Sequence, residues 1–500
     1  MRWTQVGVAL IAGAIAMTAL LESSVASGQS EPTGASAAFT STDPLVLDAR
    51  KLMDQGQFAQ AEKLLDSAGP QSQPAAGELR EIITRIRIAY RLDAAAMLAR
   101  LQQSVPGATP DDLERWRRDG QVQFRLIDGR VAYFEREPSN IFRFCGEAKQ
   151  RRQTAPAEAP QWKLEDHLAR VIAEARKSGG SEVVPMRHRV RYVLTIAANA
   201  PQMKAGAMVR VWLPFPQEYL RQRDVKLIGS PPAYKVIAPS ASSEPPTDGA
   251  AQRTVYFEQA VVDPAKPMRF EETFEFTSSA YYPSVEDARA RPLPAKWGGA
   301  YLMERPPHIR FSPQLRETVA KIIGTETNPL AKARRIFHYI AANMSYCAEE
   351  EYSTIPSLSE KAFASRRGDC GVQSMLFITM CRLAGVPARW QSGWETKRVD
   401  LNMHDWAEFY VEPWGWLPAD PSYGLRQSDD PRVREFYFGH QDSYRMIVNR
   451  DYGAALTPPK SSLRSEPLDF QRGEVEVNGN NLYFPWWDYD FNVDYLTEGP

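Results

Sequence analysis

The chain has 500 residues, 43% of them hydrophobic and 11% aromatic, which is ordinary for a globular protein and long enough for more than one packed domain. Its 60 basic and 61 acidic side chains leave a net charge of -1, so no long-range field favours nucleic acid or an anionic surface, and neither is expected as a partner. Four cysteines are too few for a disulfide-dense scaffold.

Residues 1–28 hold Arg2, an apolar run over 6–21 and then Ser23, Ser24, Ala26, Ser27 and Gly28. This pattern predicts a secretory signal peptide cleaved near Ala26 or Gly28, because the run is short for a membrane span; an uncleaved anchor is the alternative. No nearby cysteine could carry a lipid, so the expectation is export to the periplasm or beyond without a stable membrane anchor. Residues 29–43 are small, polar and Pro-containing and read as a disordered leader.

The stretch 44–180 reads as a mainly helical region. Apolar residues recur at helical spacing over 45–68 around Gly56, as in a helical hairpin that also resembles a single tetratricopeptide unit, and the pattern continues over 78–101. Between Gly120 and Phe144 an Asp128-Gly129 turn joins two alternating runs, which predicts a β-hairpin. Residues 149–160 read as a linker, and 164–177 as an amphipathic helix ending at Gly179-Gly180. Over 187–290, alternating stretches separated by Pro and Gly clusters predict a β-sandwich. Residues 300–500 follow as a separate domain with an aromatic C-terminal extension, expected to pack onto that domain.

The chemistry lies in this last part. In Gly368-Asp369-Cys370 a turn feeds into an apolar helical pattern that stops at Gly385 with Pro387 beyond. Asp369 fits an N-cap, which puts Cys370 in the first helical turn, where the helix dipole and an imidazole would lower its pKa and leave it exposed on a buried support. His404 opens a period-two run in which His404, Trp406, Glu408 and Tyr410 share one face and Asp405, Ala407, Phe409 and Val411 the other. Asp405 should therefore point away from the imidazole. A turn at Pro413-Trp414-Gly415 would return the chain alongside and make Asp420 the orienter of His404.

Gly-Asp-Cys before an apolar helix, Leu-Ala-Gly-Val-Pro-Ala-Arg at 383–389, His-x-Trp-x-Glu and Gly-Trp-x-Pro-x-Asp-Pro together resemble the transglutaminase-like superfamily over residues 313–424. The resemblance implies an α+β fold with a papain-like core, a helix carrying Cys370 packed on an antiparallel sheet. It also implies Cys370 as nucleophile, His404 as general base and acid, and Asp420 as orienting carboxylate. The Asp405 that follows His404 is a departure, since the family more often has a small residue there. Tyr346, Gln373, Trp394 and Trp406 are candidates for oxyanion or substrate contacts, with the Cys370 backbone N–H as the other oxyanion donor. The implied activity is an exported thiol enzyme that cleaves or transfers an amide or isopeptide bond through a thioester on Cys370, with hydrolysis preferred. A protein-crosslinking transglutaminase is one alternative, and an inactive peptide- or glycan-binding module of the same fold is the other. The substrate would be a protein or peptide, cell-wall peptide included. The six histidines are scattered without metal-ligand spacing, so no metal and no cofactor is expected; a Ca2+ requirement stays open. Cys381, eleven residues beyond Cys370 on one helix, sits ~16 Å away and cannot bridge to it, while a bridge between Cys145 and Cys347 stays open.

Overall fold

The computed structural model describes residues 36–153, 162–238, 252–294 and 299–497, so the signal-peptide region and most of the linker lie outside the described residues. The fold is α+β. Among the described residues no helix is long and apolar enough to cross a membrane.

The N-terminal region is helical because its caps and apolar spacing agree. Asp43 accepts the Leu45 N–H at 2.9 Å and starts Pro44–Asp54; Phe58–Leu65 folds back on it, and Gln73–Ala89 closes a core around Phe58, Leu79 and Ile83. This core corrects the boundary of the leader. Ala37–Thr40 is a helical turn with Ala38 and Phe39 buried, since the Ala38 N–H reaches Glu78 at 2.9 Å and the Phe39 ring finds apolar neighbours. The hairpin forms as expected, Phe124–Ile127 against Arg130–Tyr133. The helix Leu164–Ser178 ends at left-handed Gly179.

A β-sandwich follows, but it draws strands from both ends of the sequence. One sheet has the order Trp487–Thr497, Glu182–Ile196, Met268–Tyr281, Gln222–Gly229; the other has Asn480–Asn481, Glu474–Val477, Met208–Pro214, Thr254–Ala260, Val236–Ala238. The C-terminal extension, expected on the catalytic domain, thus completes the sandwich. Its Trp487 pairs with Ile196 and its Val475 with Val211, which covers sheet edges that residues 187–290 alone would leave open.

The remaining core is a four-stranded antiparallel sheet in the order Gly415–Ala419, Asp400–Val411, Ala388–Lys397, Arg445–Asn449. The helix Cys370–Leu383 packs on it, and Pro313–Ile323, Pro329–Asn343 and Leu358–Ser365 pack on the helix. Every residue from Cys370 to Arg382 is buried, so this helix is a central element enclosed on all sides. All four cysteines are free and buried; the bridge between Cys145 and Cys347 is not formed.

Candidate active site

The helix start is built as its sequence requires. Asp369 is extended and its carboxylate accepts the Val372 N–H at 3.2 Å, which leaves Cys370 as the first helical residue. Gly371 is needed because the Tyr352 ring lies against its backbone: an added Cβ would come within 2.6 Å of Tyr352 Cε2. The Gly371 N–H donates to the Tyr352 hydroxyl at 3.1 Å.

On the sheet, His404 pairs with Gly393 and Asp405 with Ser392, and Ala407 pairs with Ala419, so the hairpin brings Asp420 to the histidine strand. Asp420 is held from two sides. Its Oδ1 accepts the Ser422 and Tyr423 N–H groups and the Ser422 hydroxyl, its Oδ2 accepts His404 Nε2 at 2.6 Å, and the Arg445 guanidinium forms an ion pair with Oδ2 at 2.7 Å. Burial opposes its charge, but His404 and Arg445 outweigh this and hold Asp420 well below the usual carboxylate range. With Nε2 committed to Asp420, Nδ1 is the nitrogen left for proton transfer. Glu395, which the sequence reading passed over, adds a second carboxylate 3.8 Å from Nε2. Glu395, His404 and Asp420 offer ligand atoms within 4.8 Å of one another, and Lys397 at 2.9 Å and Arg445 at 3.2 Å from Glu395 bring positive charge to them.

Cys370 itself is 6% exposed, so the expectation of an exposed nucleophile is corrected. It lines a cavity of about 490 Å³ to which three units contribute: Arg85 and Arg136 from the N-terminal region, Tyr346, Tyr352 and Asn402 from the catalytic core, and Gln471, Arg472 and Phe484 from the C-terminal segment. His404 lines a second hollow of about 520 Å³ with Glu395, Trp162 and Tyr423; Tyr346 and Asn402 border both.

The electrostatics of the thiol also differ from expectation. Burial first, then Asp405 and Asp369, push the Cys370 thiol well above its ordinary value, opposite in direction to the lowering expected at a helix start. Asp405 does point away from the imidazole, and for that reason it faces the helix: the Cys370 thiol donates to Asp405 Oδ2 at 3.4 Å. The only sequence signal for this was its place on the strand face opposite His404, which is the face the Cys370 helix covers.

The other candidates separate. Tyr346 is 40% exposed at the rim of both hollows, and the neighbouring Cys370 pushes its hydroxyl upward. Gln373 is buried with its amide on the Gly368 carbonyl at 2.9 Å and supports the turn from below. Trp394 lies in the sandwich core with its indole N–H on the Gln471 carbonyl at 2.8 Å. Trp406 is buried on Gln391 with its ring roughly parallel to that of His404. Neither tryptophan lines the cavity at Cys370, because both rings fill the space between sheets.

A sequence model described as "Transglutaminase-like superfamily" matches residues 316–421. The chain is 24% identical over 230 residues to an uncharacterized protein of Haemophilus influenzae, covering 38% of this chain and 60% of that one. It is 25% identical over 131 residues to the uncharacterized protein YebA of Bacillus subtilis, covering 22% and 18%. The chain therefore spans less than two thirds of either relative. Among solved structures it is similar to a candidate cysteine protease from Cytophaga hutchinsonii, with 14% identity, TM-score 0.42, and coverage of 63% of this chain and 92% of that one. It is also similar to the periplasmic domain of TgpA from Pseudomonas aeruginosa, with 14% identity, TM-score 0.25, and coverage of 56% and 98%. Residues 316–421, which hold the Cys-bearing helix and strands of the antiparallel sheet, are thus similar to the transglutaminase-like superfamily.

Proposed function

We propose that the protein is an exported cysteine-nucleophile enzyme that opens an amide or isopeptide bond in a protein or peptide, cell-wall peptide included, through a thioester on Cys370. The observation that carries this reading is the buried His404–Asp420 pair at 2.6 Å on the strand that packs against the Cys370 helix, with Cys370 at a cavity wall. In the reaction the Cys370 thiol gives its proton to a neighbouring base as the sulfur attacks the carbonyl, and the Cys370 N–H is a donor for the oxyanion. His404, as an imidazolium stabilised by Asp420, gives a proton to the leaving amine and regains one from the water of the second step. Water then opens the thioester. Amine transfer differs only in that an amine does so, and water is in vast molar excess, so hydrolysis is the preferred outcome.

A second reading has one observation in its favour. The thiol is buried and held neutral, which suits a binding module that keeps the fold without the chemistry. Purified protein assayed against glutamine-containing and wall-derived peptides, with Cys370→Ala beside it, decides between them. Turnover that needs Cys370 supports the enzyme, and binding without turnover or labelling of Cys370 by an electrophile supports the module.

A further inference from the structure

The surroundings of Cys370 contain more hydrogen-bonding positions than the thiol and hydroxyl can fill. The thiol is 3.4 Å from Asp405 Oδ2, the Tyr352 hydroxyl is 3.0 Å from that same oxygen, and the hydroxyl is 2.8 Å from Asp369 Oδ1. These are three links in a row. With both carboxylates ionised, only two protons are available for them, the thiol proton and the hydroxyl proton, and the hydroxyl can serve one carboxylate at a time. A buried link without a proton would set two oxygen lone pairs against each other. One further proton fills all three: thiol to Asp405, Asp405 to Tyr352, Tyr352 to Asp369.

The row is held in place by its neighbours. Gln471 donates to Asp405 Oδ1 at 2.7 Å and to the His404 carbonyl at 2.8 Å, which leaves Oδ2 for the sulfur. Gly371 gives its N–H to Tyr352 and has no Cβ to push the ring away. The groups that face Asp405 are Cys370, Asp369, Tyr352, Tyr346, Asp469 and, on its own strand, His404. Burial and then Asp369 push Asp405 up to about 7, in keeping with a carboxyl that keeps its proton near neutrality.

We propose that Asp405 is a catalytic residue that takes the Cys370 proton, as the first member of a proton relay running from Cys370 through Asp405 and Tyr352 to Asp369. This rests on the reading of Cys370 as nucleophile. In the relay step the S–H bond breaks with its electron pair left on sulfur and its proton forms a new O–H on Asp405. The former Asp405 proton passes to Tyr352, and the former Tyr352 proton passes to Asp369. Three bonds to hydrogen break and three form, and one negative charge moves from Asp369 to the sulfur, where the Asp405 O–H donates to it. His404, as the imidazolium tied to Asp420, then gives a proton to the leaving amine and regains one from the water that opens the thioester.

The test is the rate of Cys370 alkylation by iodoacetamide in the intact protein, followed by peptide mass spectrometry against pH, with Cys381 as internal control. Because the relay makes thiolate without losing a proton to solvent, the wild-type rate should be flat between about pH 5 and 7. Asp405→Asn and the near-isosteric Tyr352→Phe each break the row, so in both the rate should climb about tenfold per pH unit, as for a thiol that ionises into water. A wild-type rate that climbs in the same way overturns the relay, and so does a flat profile that survives both substitutions, which would assign the proton to His404. A wild-type Cys370 that reacts at no pH overturns the enzyme reading itself, so the two failures are distinguishable.

Discussion

Replacing Gly371 with alanine sets two effects against each other. Helix propensity alone favours alanine by up to about 1 kcal/mol, since glycine loses the most backbone entropy on folding. Packing opposes it. The new Cβ would lie 2.6 Å from Tyr352 Cε2, where carbon atoms in contact sit about 3.5–4.0 Å apart, so the ring must move by about 1 Å. Tyr352 is buried and edge-on to Trp390, with centroids 6.3 Å apart, so it has little room to yield. Overpacking of this kind costs about 1–3 kcal/mol, and leaving Asp369 and Asp405 without the hydroxyl costs a further ~1–3 kcal/mol. The net expectation is a loss of about 1 kcal/mol or more, or at least roughly 2–4 °C in the transition of the catalytic domain. Gly77 is the control: it lies inside the helix Gln73–Ala89 with nothing within 4 Å of an added Cβ, so Gly77→Ala should stabilise by up to about 1 kcal/mol. Scanning calorimetry of both variants beside wild type reads the outcome. If Gly371→Ala melts at or above the wild-type temperature, the contact between Tyr352 and the helix start does not constrain this site, and the relay built on it loses its support.

Cys370→Ala should abolish turnover with little change in melting temperature, His404→Ala should be about as damaging, and Asp420→Asn less so; activity retained by Cys370→Ala ends the assignment. Cys370, which lines a cavity, should alkylate faster than Cys381, which is fully buried on the same helix, and equal labelling of the native protein counts against an accessible site. With a glutamine-bearing substrate and a labelled primary amine, ammonia-releasing hydrolysis should outpace incorporation, and the reverse at millimolar amine would make the enzyme a crosslinking transglutaminase. Burial pushes His188 down to about 3, so its folded form is neutral while the unfolded chain takes up a proton near the ordinary value of about 6.5. Its contribution to stability is full above about pH 6.5 and lost as pH falls toward 3. Relative to wild type, His188→Phe should therefore gain about 2 kcal/mol between pH 7.5 and pH 5, and a stability difference that does not change with pH refutes this.

The sequence by itself determined the helix start at Cys370, the histidine strand, the hairpin that returns Asp420 and the family these imply. Each of these is set within a few residues of chain: an N-cap aspartate, a period-two run and a Pro-Trp-Gly turn act locally, whatever lies elsewhere. The alternation also placed Asp405 on the face opposite His404. What it could not tell was that the nucleophile helix covers that face, because which surface of a strand meets which helix is decided by packing between distant segments. The same holds for Tyr352, seventeen residues from Asp369, and for Gln471, sixty-six from Asp405, whose roles exist only once the chain is folded. Tertiary structure also moved the C-terminal strands from the catalytic domain to the sandwich, since an open sheet edge takes the strand that fits its register and not the one nearest in sequence. It also set the direction of the thiol's shift: a helix start by itself lowers a thiol pKa, but here burial and two carboxylates act on the same sulfur and push it up.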